Sequence, residues 1–302
     1  MLRSLVRVHH AHLALFALLN ACGSPASEAP GSSPPSGRSA ELAAREVTPS
    51  AREGITVEHI EGPTPLGMGD GVITLVRFDM HRYAPLLLTA STRDGVAHTL
   101  PRWAAREHLV GGINLAMYEP DGRPTSLVVQ DGVELSPDDA RFGGFFAFGP
   151  TQPSDTEFIL TGRDCQGGDL TALRARFRNV VANYRMLNCA GAPIAWVDEH
   201  RYSSAAFGVD REGRLVLIHA ATPYLMRDLA RVLAEPALGL VQVDYVEGGP
   251  EATLFVDDGV TQMTLIGLPR DAADRRPDQE PYPAERLGHA WALPNVLGIV
   301  VR

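Results

Sequence analysis

Residues 238–256, LGLVQVDYVEGGPEATLFV, constrain this chain more than any other stretch. An apolar, β-branched run ends in Glu247, Gly248, Gly249, Pro250 and Glu251, after which strand character resumes. A buried strand that stops in this way leaves a carboxylate and bare backbone amides at the end of a sheet, the place where open α/β folds put ligand chemistry. Glycine lets a substrate approach the main chain and permits positive φ. A tight inter-strand turn carrying a solvated acid satisfies the same spacing.

The chain has 302 residues, enough for one large domain or two ordinary ones. A hydrophobic content of 45% and a charged content of 21% are those of a globular protein. Acids outnumber basic residues by 36 to 27, for a net charge of −9, which argues against nucleic acid as a partner because phosphate binding needs a basic face. No Cys/His spacing matches a zinc site.

The first residues address the chain. Arg3 and Arg7 precede a short apolar segment, residues 11–19, that is too short to span a bilayer. Leu19-Asn20-Ala21-Cys22 resembles a bacterial lipobox, so residues 1–21 are expected to be a lipoprotein signal peptide and Cys22 the lipidated first residue. Acyl chains on Cys22 would supply a membrane anchor. Gly23, rather than an acid, follows it and points to the outer membrane of the cell envelope. An ordinary secretory signal cut near Ala21 is the alternative. Residues 22–52 are rich in Ser, Pro and Ala and poor in large apolar groups, which predicts a disordered tether. In an oxidising periplasm Cys165 and Cys189 either pair or remain two buried thiols.

Residues 53–302 alternate short apolar runs with turn signals. Segments 72–78, 85–90, 111–117, 205–209, 214–219, 240–246 and 295–301 read as strands. Residues 100–109 and 170–177 read as helices. A third helix is expected after Thr222, as N-cap, and Pro223, with Leu225, Met226, Leu229, Val232 and Leu233 on one face and Pro236 at its end. Residues 269–283 read as a charged, proline-rich loop. Without a strict βαβ rhythm or an internal repeat, the pattern predicts a single α+β domain with a mixed β-sheet core and flanking helices.

The order of several segments resembles the phosphodiester glycosidase family over most of the folded part, roughly residues 103–301. The segments are Gly112-Ile113-Asn114-Leu115-Ala116-Met117-Tyr118 with Asp121-Gly122-Arg123-Pro124, then residues 203–210, then Tyr245-Val246-Glu247-Gly248-Gly249-Pro250-Glu251-Ala252, and finally residues 292–298. The resemblance implies a periplasmic hydrolase that cleaves a sugar from a phosphodiester or a related envelope glycan. Where the resemblance leads one to expect an arginine in the central strand, this chain has Ser204, and where many members have serine it has Glu251. Serine cannot replace the bidentate fork of a guanidinium on phosphate.

Such chemistry needs a carboxylate at an oxocarbenium-like centre and polar donors for the leaving group. Glu247 is the first candidate for the carboxylate and Glu251 the second. Asn114 is a candidate positioning group and His219, at a strand end, a candidate acid or base. Gly248 and Gly249 offer backbone donors to an anion. Ser204, Arg201 and Arg185 are candidates for holding the substrate. Each has a structural alternative: a strand-end amide for Asn114, a solvated loop residue for Arg201, turn geometry for the glycines. No cofactor is implied, and no ligand spacing demands a metal, although acids beside a sugar phosphate suit a divalent ion. The expected partners are a carbohydrate or glycosyl-phosphate substrate and a membrane. A non-catalytic glycan-binding or envelope-assembly lipoprotein is the alternative function.

Overall fold

The computed structural model shows a folded part that is mostly β-sheet with few helices. It describes residues 46–63, 69–153, 156–197, 199–268 and 289–302. The expected signal peptide and Cys22, residues 23–45 of the expected tether, and the loop at 269–283 lie outside the described residues, whereas Glu46–Pro49, expected to belong to the disordered tether, forms a strand that pairs with Ile55–Glu61.

Two sheets make the body. The larger has eleven strands. Its path runs from Glu46–Pro49 through Ile55–Glu61, Val72–Phe78, Leu215–Leu225, Arg201–Asp210, Leu240–Gly248 and Phe177–Arg185 to Val128–Gln130 and Val133–Ser136. Gly144–Pro150 also pairs with Phe177–Arg185, and Phe158–Gly162 pairs with Gly144–Pro150. The smaller sheet orders Gln262–Ile266, Thr253–Asp257, Gly111–Asn114, Asn295–Val301 and Tyr83–Thr89. The main core is drawn from both sheets and includes Phe78, Phe146, Phe207, Leu254 and Leu297. Each such fully buried side chain contributes about 1.5–3 kcal/mol.

Two expectations are corrected. The fold is mainly β, not α+β: three short helices are described, Leu100–Glu107, Leu170–Arg176 and Met226–Leu233. Nor is the sheet mixed, because every strand pairing among the described residues is antiparallel. Parallel pairs need long crossovers, whereas turns such as the one at Gly213 close antiparallel hairpins in a few residues.

The third helix also starts later than its sequence suggests. Thr222 and Pro223 are still in the strand Leu215–Leu225, and the helix begins at Met226. Thr222 Oγ1 accepts a hydrogen bond from the Gly71 amide at 2.8 Å, so a sheet contact takes the hydroxyl that would have capped the helix. Met226, Leu229, Ala230 and Leu233 then cover the outer face of the large sheet.

Arg77 anchors one end of that sheet from a position with 1% exposure. Its guanidinium donates to Glu58 Oε1 at 3.0 Å, Asp210 Oδ2 at 2.7 Å and the Leu238 carbonyl at 2.8 Å. Asp210 is therefore more than the turn residue its Asp-Arg-Glu-Gly setting suggests.

Candidate active site

The strand Leu240–Gly248 belongs to the large sheet and the next strand, Thr253–Asp257, to the small one. The Glu-Gly-Gly-Pro-Glu segment is therefore the point where the chain crosses between sheets, not a hairpin. Glu247 and Gly248 still belong to the strand, and Gly249–Glu251 forms a single 3-10 turn. Gly249 has φ +69°, a conformation that side chains with a Cβ rarely adopt. Against its neighbour, the strand carries one extra residue between Tyr245 and Glu247, a bulge of the kind that bends a strand end beside a site.

At this crossing lies a cavity of about 490 Å³. Its floor is Glu247, Gly248, Gly249 and Glu251, and its walls are Met117, Tyr118, Tyr184, Trp196, Tyr202, Met226 and Tyr245. The aromatic rings form a chain, Tyr184 to Trp196 at 5.8 Å and Trp196 to Tyr245 at 5.7 Å, both edge to face. Such rings present flat apolar surface with a polar tip. Trp196 Nε1 is shielded from water and donates to no group among the described residues. Gly248 makes room for this wall, because a Cβ there would stand 2.4 Å from the Tyr245 hydroxyl.

Glu247 is the electrostatic centre. Its Oε1 accepts the Gly248 amide at 3.0 Å. Burial of the carboxyl pushes its pKa up to about 8, the Gly248 hydrogen bond opposes the rise, and the negative charge of Glu251 adds to it. At neutral pH Glu247 is thus mostly protonated beside a second carboxylate, an arrangement that pairs a proton donor with a base or nucleophile.

The other residues singled out in the sequence fall into two groups. Glu247, Glu251, Gly248 and Gly249 share the cavity. Asn114 and His219 are buried behind it and brace its floor. Asn114 Oδ1 accepts the Thr253 amide at 3.1 Å, and His219 Nε2 hydrogen-bonds the Ala252 carbonyl at 3.1 Å. Burial lowers the His219 pKa to about 4, so the ring is neutral and donates through Nε2. Ser204 is buried, pairs in register with Gly248 and bonds the Tyr202 carbonyl at 3.3 Å. It lies one layer behind the lining.

Neither arginine lines the cavity. Arg201 opens the strand that carries Tyr202. Arg185 reaches the other way, donating to Asp164 Oδ1 at 2.7 Å and to Cys165 Sγ at 3.2 Å. Cys165 and Cys189 form a disulfide, which settles the alternative left open by sequence. Among the described residues, the one trio of ligand-type side chains close enough to share an ion is Asp164, Cys165 and Cys189, whose sulfurs are joined to each other. The aromatic wall has no local signal in the sequence. Tyr118, Tyr184, Trp196 and Tyr202 come from separate segments that only the fold brings together.

Several solved structures share the architecture. A hypothetical protein from Synechocystis superposes with a TM-score of 0.57 at 14% identity, covering 87% of this chain and 65% of that one. This chain therefore spans just under two thirds of that neighbour. The catalytic domain of zebrafish N-acetylglucosamine-1-phosphodiester alpha-N-acetylglucosaminidase, auto-inhibited by its pro-peptide, superposes with a TM-score of 0.58 at 12% identity, covering 85% of this chain and 88% of that one. At these identities the likeness concerns the fold. No curated protein sequence matches the chain. The phosphodiester glycosidase family model matches residues 107–300, and with that span of the sequence in register the chain belongs to the phosphodiester glycosidase family.

Proposed function

We propose that this protein is an exported, lipid-anchored hydrolase that cleaves a sugar from a phosphodiester or related envelope glycan in the aromatic cavity, with Glu247 and Glu251 as its paired acids. Family membership supports a glycosidase-type function. The zebrafish relative's name describes hydrolysis of a sugar phosphodiester. The single observation that carries the reading is the desolvated Glu247 carboxyl, held by the Gly248 amide and raised further by Glu251, at the floor of a cavity walled with aromatic rings. A carboxyl kept protonated near neutrality donates to a departing oxygen, while Glu251 beside it is placed to stabilise the oxocarbenium-like centre, attack it or activate water.

Export rests on Arg3, Arg7 and the apolar segment after them, and the anchor on Cys22 in its lipobox-like setting. The Cys165–Cys189 disulfide supports an oxidising compartment. Release of reducing sugar from glycosyl phosphodiesters and envelope glycans, with Glu247→Gln assayed beside the wild type, tests the function. The variant is expected to lose about 100-fold or more. Equal rates would remove Glu247 from the chemistry. Glycan binding without turnover would favour the non-catalytic reading, for which the aromatic walls suffice.

A further inference from the structure

Tyr184, Tyr202 and Tyr245 are carried into the cavity wall by strands of the large sheet, whereas Trp196 stands in irregular chain. Its ring nevertheless spans the seam between two of those strands. Tyr184 pairs in register with Tyr245, and the Trp196 ring lies 5.8 Å from the first and 5.7 Å from the second. A hairpin delivers it there. Beyond Arg185 the Met186 amide donates to the Val243 carbonyl at 2.8 Å, the chain turns at Cys189 and Ala190, and the Ile194 amide donates back to the Met186 carbonyl at 2.9 Å. Asn188 Oδ1 stiffens the tip by accepting the Ala190 and Ala192 amides at 2.9 and 3.0 Å. Trp196 follows two residues after Ile194, and Val197 beyond it is exposed.

A hairpin this small is marginal by itself. The Cys165–Cys189 disulfide fixes its tip, joining the turn at Cys189 to the loop that follows Phe158–Gly162. That loop is tied to the body of the sheet, since the Arg163 amide donates to the Gly143 carbonyl and the Cys165 amide to the Gly162 carbonyl, both at 2.9 Å. Arg185 braces both halves of the bridge. Its Nη1 donates to Cys165 Sγ at 3.2 Å, stands 3.5 Å from Cys189 Sγ and pairs with Asp164 Oδ1 at 2.7 Å. The guanidinium packs directly on Gly162, where a Cβ would collide with it. Arg185 and Tyr184 are neighbours on one strand, so their side chains leave opposite faces of the sheet. The bridge and the ring wall thus sit back to back across the same register pairs, Tyr184 with Tyr245 and Arg185 with Asp244.

We propose that Trp196 is the residue that recognises the sugar ring in this cavity, and that the Cys165–Cys189 disulfide positions it. The proposal rests on the preceding reading of the cavity as a sugar site. An indole offers a broad apolar face to the C–H face of a pyranose. With the bridge closed, that face is held over the seam before a ligand arrives, so binding carries no cost for ordering it. With the bridge open, the hairpin tip frays and the ring leaves the wall for part of the time, which weakens binding in proportion. Glu247 is held by the Gly248 amide on a different strand and keeps its place. The loss therefore falls on binding rather than on the turnover of bound substrate.

The purified full chain would be compared with Cys165→Ser/Cys189→Ser, with Trp196→Ala and with the triple variant. The probes are methyl glycosyl-1-phosphodiesters and methyl glycosides of glucose, galactose, mannose and N-acetylglucosamine, with Kd read by NMR titration and KM and kcat by sugar release. Opening the bridge should raise Kd and KM for the best-bound probe by about tenfold or more while kcat stays within about threefold. Trp196→Ala should weaken binding at least as much, and opening the bridge in that background should add less than about twofold. Hydrogen exchange of residues 187–196 should quicken by about tenfold or more in the double-serine variant, while that of Leu215–Leu225 stays within about threefold. Additive losses in the triple variant, or equal quickening of both segments, make the bridge a general staple and overturn the positioning claim. A Trp196→Ala variant that binds every probe as the wild type does, or a wild type that binds none, overturns the recognition claim. Binding without turnover sinks the hydrolase reading alone, and the Kd values then decide this one. Should the double-serine variant fail to fold, dithiothreitol acting on the exposed Cys189 of the wild type opens the same bridge, and the same ratios decide.

Discussion

The imidazole of His219 donates from Nε2 to the carbonyl oxygen of Ala252 across 3.1 Å, and Ala252 is the residue that follows Glu251. One residue further on, the Thr253 amide donates to Asn114 Oδ1 at 3.1 Å. Two buried polar side chains, one from each sheet, thus clamp the exit of the turn that carries Glu251. They act through Glu251 and do not reach the ligand space, which makes them positioning residues.

That clamp predicts acid sensitivity. The folded pKa of His219, about 4, lies below its ordinary value of 6.5, so between these values the unfolded chain binds more protons and stability rises with pH. The contribution is complete above 6.5 and is lost as pH falls through about 4. Urea denaturation at pH 7 and pH 4.5 should differ by about 2–3 kcal/mol more in the wild type than in His219→Gln. Parallel losses in the two proteins would show that the ring does not titrate on unfolding.

Glu247 has the opposite sign. Its folded pKa of about 8 exceeds the ordinary 4.5, so its contribution to stability is full below 4.5 and is lost as pH rises through 8. Glu247→Gln is therefore expected to melt at a higher temperature than the wild type at pH 9 and at the same temperature at pH 4. Scanning calorimetry at the two pH values checks this. The same titration predicts that wild-type turnover declines as pH rises past about 8, because the proton donor is then ionised.

Gly248 separates the acid from the wall. In Gly248→Ala the new Cβ would meet the Tyr245 hydroxyl at 2.4 Å and the Ser203 carbonyl at 3.1 Å. Turnover should fall by about tenfold or more, consistent with the cost of displacing a group at a site. Adding Tyr245→Phe removes the nearer clash and should restore part of the loss. A double variant no better than Gly248→Ala would place the damage in the backbone instead.

Arg77 tests the fold apart from the site. Arg77→Met leaves Glu58 and Asp210 buried without their shared cation and should cost about 3–5 kcal/mol in urea denaturation. Replacing Glu58 by Met as well removes one carboxylate that has lost Arg77, while Asp210 keeps its ion pair with Arg214 at 2.7 Å, and should recover part of that cost. Absence of any recovery would mean that lost packing, not unpaired charge, dominates.

Much of the strand pattern was legible in the sequence, because alternation and turn glycines are local properties. Residues 72–78 and 295–301 fall where their composition puts them, and the helix at Leu100–Glu107 matches its apolar spacing. The end of the strand at Glu247 and the turn after it were also visible in the sequence, because an acid followed by two glycines and a proline breaks the strand pattern locally. Thr222 and Pro223 misled for an equally physical reason. A capping residue signals a helix only while its hydroxyl is free, and the Gly71 amide, distant in sequence, claims this one.

What the sequence determined by itself is the strand-rich character of the chain and the position of its acids. Tertiary structure alone decided that the Gly249–Glu251 turn joins two sheets, that Asn114 and His219 support the acids from behind, and that rings from separate segments enclose them. The difference lies in range. Strand propensity and turn geometry arise among neighbouring residues, whereas desolvation of Glu247 is a property of everything packed around it, and no local stretch of chain contains that information.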